Sequence, residues 1–331
     1  AALELVFDAM HNSIMPQDEF DQFKKQMQVM IESMRDKPDA LAQNAITQHF
    51  NTYPKGDPRY EYSLDESLEQ LNKLTVDQVR AFYKEFGGTS RGEISIVGDF
   101  DPKAVEKIIR NDYAKYVSKA HYAPVVTEYR PVKATRVVID TPDKENAIIV
   151  ARSVFPINDT APDAPALTVA NWILGGGTGL SNRLIERLRQ KEGLSYGAGS
   201  HVRIPAKGNN GSFVFRAIVA PQNMLQAEAS ARDVIAKAIK DGFTDQEVEE
   251  AKKGLLQAMQ VARSQDDVVA RSWNDKMENQ RTWAFSKKQA EAISKLTTAD
   301  VNAALRKYIK PDEITFVLAG DQKKAAQKKQ D

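Results

Sequence analysis

The sequence predicts an α+β protein made of two copies of one domain, each a mostly antiparallel sheet packed against helices. Two observations support this prediction. One helix–turn–strand segment occurs twice at a constant spacing, and short apolar runs with the two-residue period of strands lie among longer helical patterns. The 331 residues are enough for two domains that each bury a core.

The repeat is clearest between residues 71–99 and 293–321. LNKLTVDQVRAFYKEFGGTSRGEISIVGD aligns without a gap to ISKLTTADVNAALRKYIKPDEITFVLAGD at an offset of 222. In each copy we predict that a threonine, Thr75 or Thr297, caps a helix. A turn and a short apolar strand follow, which in the first copy includes 94–97.

The repeat also sets the predicted domain boundaries. We expect a first repeat at 1–118 with a helical part, a final strand and a helix, a linker at 119–131, a complete second repeat at 132–322 and a basic, solvated tail at 323–331. The first repeat has no counterpart to the strand-rich start of the second, roughly 90 residues by alignment. We therefore expect it to be truncated at its N-terminus and the chain to be a fragment of a longer protein.

Within the second repeat, the apolar periodicity predicts the order of elements. Phe213, Phe215, Ala217 and Val219 alternate on one face of a predicted strand. The predicted strands are 136–140, 147–155, 194–204 and 212–220, followed by the last strand of the repeat. The predicted helices are 164–174, 181–190, 222–240, 245–263, 266–279 and 298–308.

The composition of the chain argues against several classes of function. Lys+Arg number 46 and Asp+Glu number 45, which gives no overall attraction to nucleic acid. The chain has no cysteine, so disulfides, thiolate zinc sites and cysteine nucleophiles are excluded within this sequence. It has no run of 18 apolar residues, so we expect no membrane insertion.

No metal site is predicted from the sequence. The histidines are His11, His49, His121 and His201, and none of them belongs to an H-E-x-x-H or H-x-x-E-H motif. The glycines between Gly175 and Gly179 lack the Gly-Lys-Ser/Thr ending of a phosphate-binding loop and follow a helix, which favours a flexible helix-to-helix connection.

The helix after these glycines carries three arginines opposite an apolar stripe. Leu180, Leu184 and Leu188 recur at spacing four and are predicted to be buried. Arg183 and Arg187 are then expected on the solvated face.

Arg189 differs from these two arginines because of the residues that follow it. It ends the helix, Gly193 turns the chain, and Tyr196 begins the next strand. This arrangement can place a guanidinium and a phenol side by side, where both could hydrogen-bond a peptide carbonyl or its oxyanion.

The duplicated units, the stretch GGGTGLSNRLIERLRQKEGLSYG and the Leu-Thr…Gly-Asp segments resemble the pitrilysin/insulinase/mitochondrial-processing-peptidase family of zinc peptidases, or inverzincins. The resemblance implies processing-peptidase-like (LuxS/MPP-like) domains and a clam-shell that encloses an unfolded peptide. In this family the N-terminal half carries H-x-x-E-H and a distal glutamate, whereas the C-terminal half supplies an arginine and a tyrosine seven residues apart. Arg189 and Tyr196 match that pair, so the resemblance implies that they bind the substrate backbone.

The resemblance therefore implies the C-terminal, non-catalytic half of a long bacterial zinc protease. No residue of this sequence would be catalytic, and zinc would be bound outside it, in an N-terminal catalytic half of the same chain. Glu32 falls near the family's distal glutamate, but Lys25 stands where catalytic members carry an acidic residue, so Glu32 is expected to be a surface residue.

A catalytically inactive scaffold or peptide-binding subunit is the alternative. We expect a bacterial protein, in the periplasm rather than the cytoplasm.

Overall fold

The computed structural model describes residues 2–177 and 182–326, which form helices and one five-stranded sheet. The strands are β1 (Arg136–Asp140), β2 (Ala147–Pro156), β3 (Ser195–Arg203), β4 (Asn210–Val219) and β5 (Thr315–Gly320). The α-helices are α1 (Ala2–His11), α2 (Gln17–Met34), α3 (Pro38–His49), α4 (Leu64–Lys73), α5 (Val76–Phe86), α6 (Pro102–Asn111), α7 (Ala164–Asn171), α8 (Arg183–Ile185), α9 (Met224–Asp241), α10 (Asp245–Ala262), α11 (Asp266–Glu278), α12 (Trp283–Lys295), α13 (Thr298–Tyr308) and α14 (Gln322–Ala326). Two π-helical turns, Trp172–Gly176 and Glu186–Lys191, extend α7 and α8.

Contacts divide the chain into two compact units. The first comprises the residues up to 33 together with 64–124 and 263–281, and the second comprises 34–63, 125–262 and the residues from 282 onward. This division follows contacts rather than sequence ancestry, so the predicted repeat boundaries stay a prediction. None of the described helices has an 18-residue stretch apolar enough to cross a bilayer.

Both predicted threonine caps are present. Thr75 accepts a hydrogen bond from the backbone N–H of Gln78, and the Gln78 side chain accepts one from the backbone N–H of Thr75. Thr297 and Asp300 repeat this reciprocal arrangement at the start of α13. These capping boxes fix the first residues of α5 and α13, since each satisfies two backbone donors that a helix start leaves unpaired.

The strand predicted at 94–97 is not formed. This segment carries no strand assignment in the structure, and Val97 is 39% exposed. Its counterpart in the second repeat is β5, which is buried at every position and hydrogen-bonded on both sides. A strand needs a neighbouring backbone to satisfy its N–H and C=O groups, and among the described residues the first unit provides no strand to pair with 94–97.

The sheet of the second unit has the order β1-β5-β2-β4-β3. β1 runs parallel to β5, and the other neighbouring strands are antiparallel. All four predicted strands of 132–220 are present to within two residues at each end. The predicted alternation in β4 is confirmed, because Phe213, Phe215, Ala217 and Val219 are all fully buried.

Both faces of the central strands are covered. On the inner face, Ile149, Phe215 and Phe316 join the large core that the helices α7, α9, α10 and α13 complete. On the outer face, α3 places Ala42 and Ile46 against Ile148, Val150, Val317 and Ala319. A strand covered on both sides has no polar face, which explains why β5 reads as a continuous apolar run.

The start of the predicted basic tail is helical. Residues 322–326 form α14, none of them is buried, and Lys324 pairs with Glu145 at 2.9 Å, so the solvated tail stays a prediction. The remainder of the predicted tail, 327–331, lies outside the described residues.

A buried amide ties α13 to the turn before α10. The Asn302 side chain accepts a hydrogen bond from the backbone N–H of Phe243 at 2.7 Å and donates to its carbonyl at 3.1 Å. Asn302 is 9% exposed and Phe243 is 4% exposed, so no water shell replaces these bonds if the amide is lost.

We therefore predict that Asn302→Ala destabilises the protein by about 2 to 3 kcal/mol, because it leaves a buried N–H and a buried C=O without partners. The measurement is urea denaturation followed by circular dichroism. Asn274→Ala is the control: Asn274 is an exposed residue of α11, where alanine is a better helix former. An equal loss of stability in the two variants would contradict this assignment.

Candidate substrate-binding site

The candidate site is a helix–turn–strand that runs from α8 to β3. Leu184 and Leu188 are fully buried, as predicted, and fix one side of the helix against the core. The backbone N–H of Leu194 donates to the Leu188 carbonyl at 2.8 Å, and Gly193 between them has φ +61°. That left-handed conformation favours glycine and closes the turn between helix and strand.

Arg189 lies on a π-helical turn rather than on a regular α-helix. The backbone N–H of Glu192 donates to the carbonyl of Arg187, five residues back, at 3.2 Å. A π-turn inserts one extra residue and changes the direction in which the side chains of that turn point; such turns are frequent at functional sites. The Arg189 side chain is exposed.

Tyr196 lies at a β-bulge. Ser195 pairs with Val219 and Gly197 pairs with Ile218, so Tyr196 is the extra residue in β3. Bulges redirect side chains and are common beside active sites. Tyr196 is 69% exposed, whereas Ser195 before it is buried and Gly197 after it is half-buried.

The structure brings Arg189 and Tyr196 to one helix–turn–strand and leaves both side chains free. Among the described residues neither has a hydrogen-bond, ion-pair or ring partner, and they do not bond to each other. A guanidinium and a phenol on a common turn are hydrogen-bond donors available to an acceptor from outside, such as a carbonyl oxygen.

Arg183 and Arg187 are not the solvated residues that were predicted. Arg183 makes a two-point ion pair with Glu247, with nitrogen–oxygen distances of 2.7 and 2.8 Å, and donates to the Gly242 carbonyl at 2.9 Å. Arg187 pairs with Glu192 at 2.5 Å. The apolar periodicity of the helix predicts which of its faces is buried, but it does not show which residues of other segments lie beside the opposite face. It therefore missed these carboxylate partners, which come from α10 and from the turn.

Glu247 is a residue of the site that the sequence argument missed. Burial by itself raises the pKa of Glu247, but hydrogen bonds from Arg183 and Thr244 outweigh it and hold the pKa below its ordinary value of 4.5. Glu247 therefore stays ionised in neutral solution and anchors the start of the helix that carries Arg189.

The glycines before α8 are closely packed where the structure describes them. A side chain at Gly175 would meet Ser200 Oγ at 2.6 Å and Ser200 N at 2.7 Å, so glycine lets the π-turn approach β3. The Ser200 hydroxyl donates to the Asn171 side chain at 2.8 Å and holds this contact. Gly175–Gly177 are therefore not a flexible connection; Gly179 and Leu180 lie outside the described residues.

Within 2–177 and 182–326, no three His, Asp or Glu side chains lie close enough to hold a metal ion. His201 is exposed on β3, His49 Nε2 lies 3.0 Å from the Lys133 carbonyl, and the His11 ring contacts Tyr116 in a tilted arrangement with ring centroids 4.6 Å apart. Glu32 is an exposed residue of α2, as expected from the sequence. The described residues do not fit a zinc ion, which needs three or four converging ligands.

Comparison with known proteins identifies the family to which this chain belongs. The family model described as "Peptidase M16 inactive domain" matches residues 73–255, and the chain belongs to this family. A Helicobacter pylori protein named "Non-peptidase homolog YmxG" is 21% identical over 256 residues, 77% of this chain and 58% of the relative. An uncharacterized zinc protease of Mycobacterium bovis is 24% identical over 257 residues, 77% of this chain and 56% of the relative.

Solved structures share the fold. A peptidase M16 inactive domain from Pseudomonas fluorescens has a TM-score of 0.82 and 22% identity, covering 96% of this chain and 74% of that one. A Helicobacter pylori protease has a TM-score of 0.76 and 18% identity, covering 96% and 76%. The predicted family and the predicted α+β fold are confirmed. The chain spans little more than half the length of the curated relatives it matches.

The Arg183–Glu247 pair predicts acid sensitivity. Because the pKa of Glu247 is lowered in the folded protein, its stabilising contribution is present above pH 4.5 and is lost as the pH falls through the folded-state pKa. We expect Glu247→Gln to lower the unfolding temperature at pH 7. We also expect the unfolding temperature of this variant to fall less than that of the parent protein when the pH is lowered below 4.5.

Thermal unfolding followed by circular dichroism across this pH range tests the prediction. Glu250→Gln is the control, because Glu250 is an exposed carboxylate of the same helix. A Glu247→Gln variant with the acid sensitivity of the parent protein would show that the pair is not responsible.

Proposed function

We propose that this chain is the substrate-binding, C-terminal half of a zinc-dependent metalloendopeptidase that acts on unfolded peptides. The observation that carries the proposal is the pair Arg189 and Tyr196: two exposed hydrogen-bond donors without partners among the described residues, seven positions apart, each placed by a local irregularity of the backbone. The membership of a peptidase family supports the choice of a peptide as the ligand.

Arg189 and Tyr196 offer the chemistry that a peptide backbone requires. The Tyr196 hydroxyl donates one hydrogen bond and the Arg189 guanidinium donates up to five, so together they can hold a substrate carbonyl. During hydrolysis the carbonyl oxygen gains negative charge, and the same donors then bind it more strongly. Arg183 and Arg187 cannot share this role while they are paired with Glu247 and Glu192.

The proposal places hydrolysis in an N-terminal catalytic half of the same polypeptide, which is supported by the greater length of the Mycobacterium bovis zinc protease relative, of which the match covers 56%. When bound there, zinc would activate the attacking water. The role of this chain is to bind and orient the substrate. A periplasmic location belongs to the same proposal, and the absence of cysteine is compatible with it.

A catalytically inactive scaffold or peptide-binding subunit is the second candidate. It is supported by the matched family description, which is that of an inactive domain, and by the Helicobacter pylori relative named as a non-peptidase. The two candidates share the binding of a peptide and differ in whether the complete protein hydrolyses it.

Metal content of the full-length protein separates the two candidates. We expect about one zinc per polypeptide by atomic absorption, with H-x-x-E-H in the catalytic half, because catalytic zinc sites take three protein ligands. A full-length protein purified without zinc and without H-x-x-E-H would favour the scaffold.

We further predict that Tyr196→Phe in the full-length protein lowers kcat on the order of tenfold to a hundredfold, since it removes one donor to the developing oxyanion. Arg189→Lys should also lower kcat, because it replaces a planar fork by a point charge. The measurement is steady-state cleavage of a quenched fluorescent peptide, with circular dichroism to check folding.

Lys240→Ala is the control for loss of a surface cation, because Lys240 is an exposed residue at the end of α9. It should leave the kinetics unchanged. Unaltered kinetics in folded Tyr196→Phe would rule out the proposed role of the phenol.

A further inference from the structure

The β-bulge that carries Tyr196 is closed by one buried hydroxyl. Ser195 Oγ lies 3.1 Å from the backbone nitrogen of Gly197, whose N–H it accepts. The same oxygen lies 2.8 Å from the Gly197 carbonyl and 2.9 Å from the Ile218 carbonyl, either of which can accept its single proton. Ser195 is 7% exposed, so these bonds are formed away from bulk water.

The Ser195 hydroxyl makes these contacts where the bulge shifts the register between β3 and β4. Tyr196 and Gly197 together oppose the single residue Ile218, so the regular ladder between β3 and β4 is interrupted there. Backbone groups left unpaired inside a protein are costly, and the Ser195 hydroxyl provides a partner on both strands. An alanine at this position would leave the Gly197 N–H without that partner.

We propose that Ser195 is the positioning residue for Tyr196: its hydroxyl holds the bulge in the form that directs the Tyr196 phenol outward. Side chains alternate along a strand, so closing or opening the bulge changes the direction of Tyr196 without any change in Tyr196 itself. The effect of Ser195 on ligand binding rests on the proposed function, whereas its effect on the backbone of the bulge does not.

The binding experiment is a double-mutant cycle on the 331-residue chain. The probe is fluorescein-labelled casein, an unfolded polypeptide, and binding is measured by fluorescence anisotropy. The variants are Ser195→Ala, Tyr196→Ala and the double variant. The matched control is Ser153→Ala, since Ser153 is a serine of β2 at 2% exposure whose hydroxyl has no hydrogen-bond partner within the described part of the chain.

We expect Ser195→Ala to weaken casein binding about threefold to tenfold, the range that one lost hydrogen bond gives. In the Tyr196→Ala background the same substitution should have no further effect, because Ser195 acts through Tyr196. Ser153→Ala should bind as the parent chain does. An equal loss from Ser195→Ala in both backgrounds, or no loss in either, overturns the positioning role.

Backbone amide exchange, followed by mass spectrometry, tests the bulge independently of any ligand. Ser195→Ala should speed exchange in the segment 195–198 about tenfold, and Ser153→Ala should leave it unchanged. Unchanged exchange in Ser195→Ala overturns the inference whatever the binding result. If Tyr196→Ala does not alter casein affinity, the proposed function fails, and the exchange rates alone decide whether Ser195 holds the bulge.

Discussion

The hydrogen bond from the Leu194 amide to the Leu188 carbonyl joins the end of a π-helix to the first residues of an outer strand. The bond therefore lies where the helical backbone of the π-turn changes to the extended backbone of β3. Leu188 is held in the core on one side, and Ser195 on the other is held by its own hydroxyl. With both ends fixed, the backbone of the turn carries Arg189 and Tyr196 on the side that faces solvent. Exposure of Arg189 and Tyr196 is thus a consequence of what is buried behind them.

The three arginines of the helix at 183–191 differ in whether they form ion pairs. Arg183 is held by Glu247 and Arg187 by Glu192, so their hydrogen-bonding capacity is used within the fold. Partly buried guanidinium groups with carboxylate partners stabilise the position of the helix rather than bind ligands. Arg189 lacks such a partner among the described residues. A cation left unpaired on a rigid turn costs the fold little and remains available for a ligand.

The repeated segment shows how context decides the structure of similar sequences. Phe82 is 64% exposed and Phe86 is 49% exposed, whereas their counterparts Ala304 and Tyr308 are 2% and 5% exposed. Both helices start with the same capping box, which needs only neighbouring residues. The strand that follows needs a partner backbone, and β5 has one on each side. Local hydrogen bonds therefore recur in both copies, whereas among the residues that the structure describes the strand forms only in the second copy.

The sequence by itself determined the fold class, the strands of the second unit, the buried leucines and the two capping threonines, because these follow from periodicity and from contacts within a few residues. It also singled out Arg189 and Tyr196 by their spacing. Only the tertiary structure decided that Arg189 lies on a π-turn and Tyr196 at a bulge, that Glu247 pairs with Arg183, and that the Ser195 hydroxyl hydrogen-bonds within the bulge. The physical reason is that a bulge and an ion pair between separate helices depend on atoms distant in the chain, which a linear pattern does not bring together. The π-turn is local, but it differs from a regular helical turn only in which carbonyl each N–H bonds, and the apolar pattern does not specify that choice.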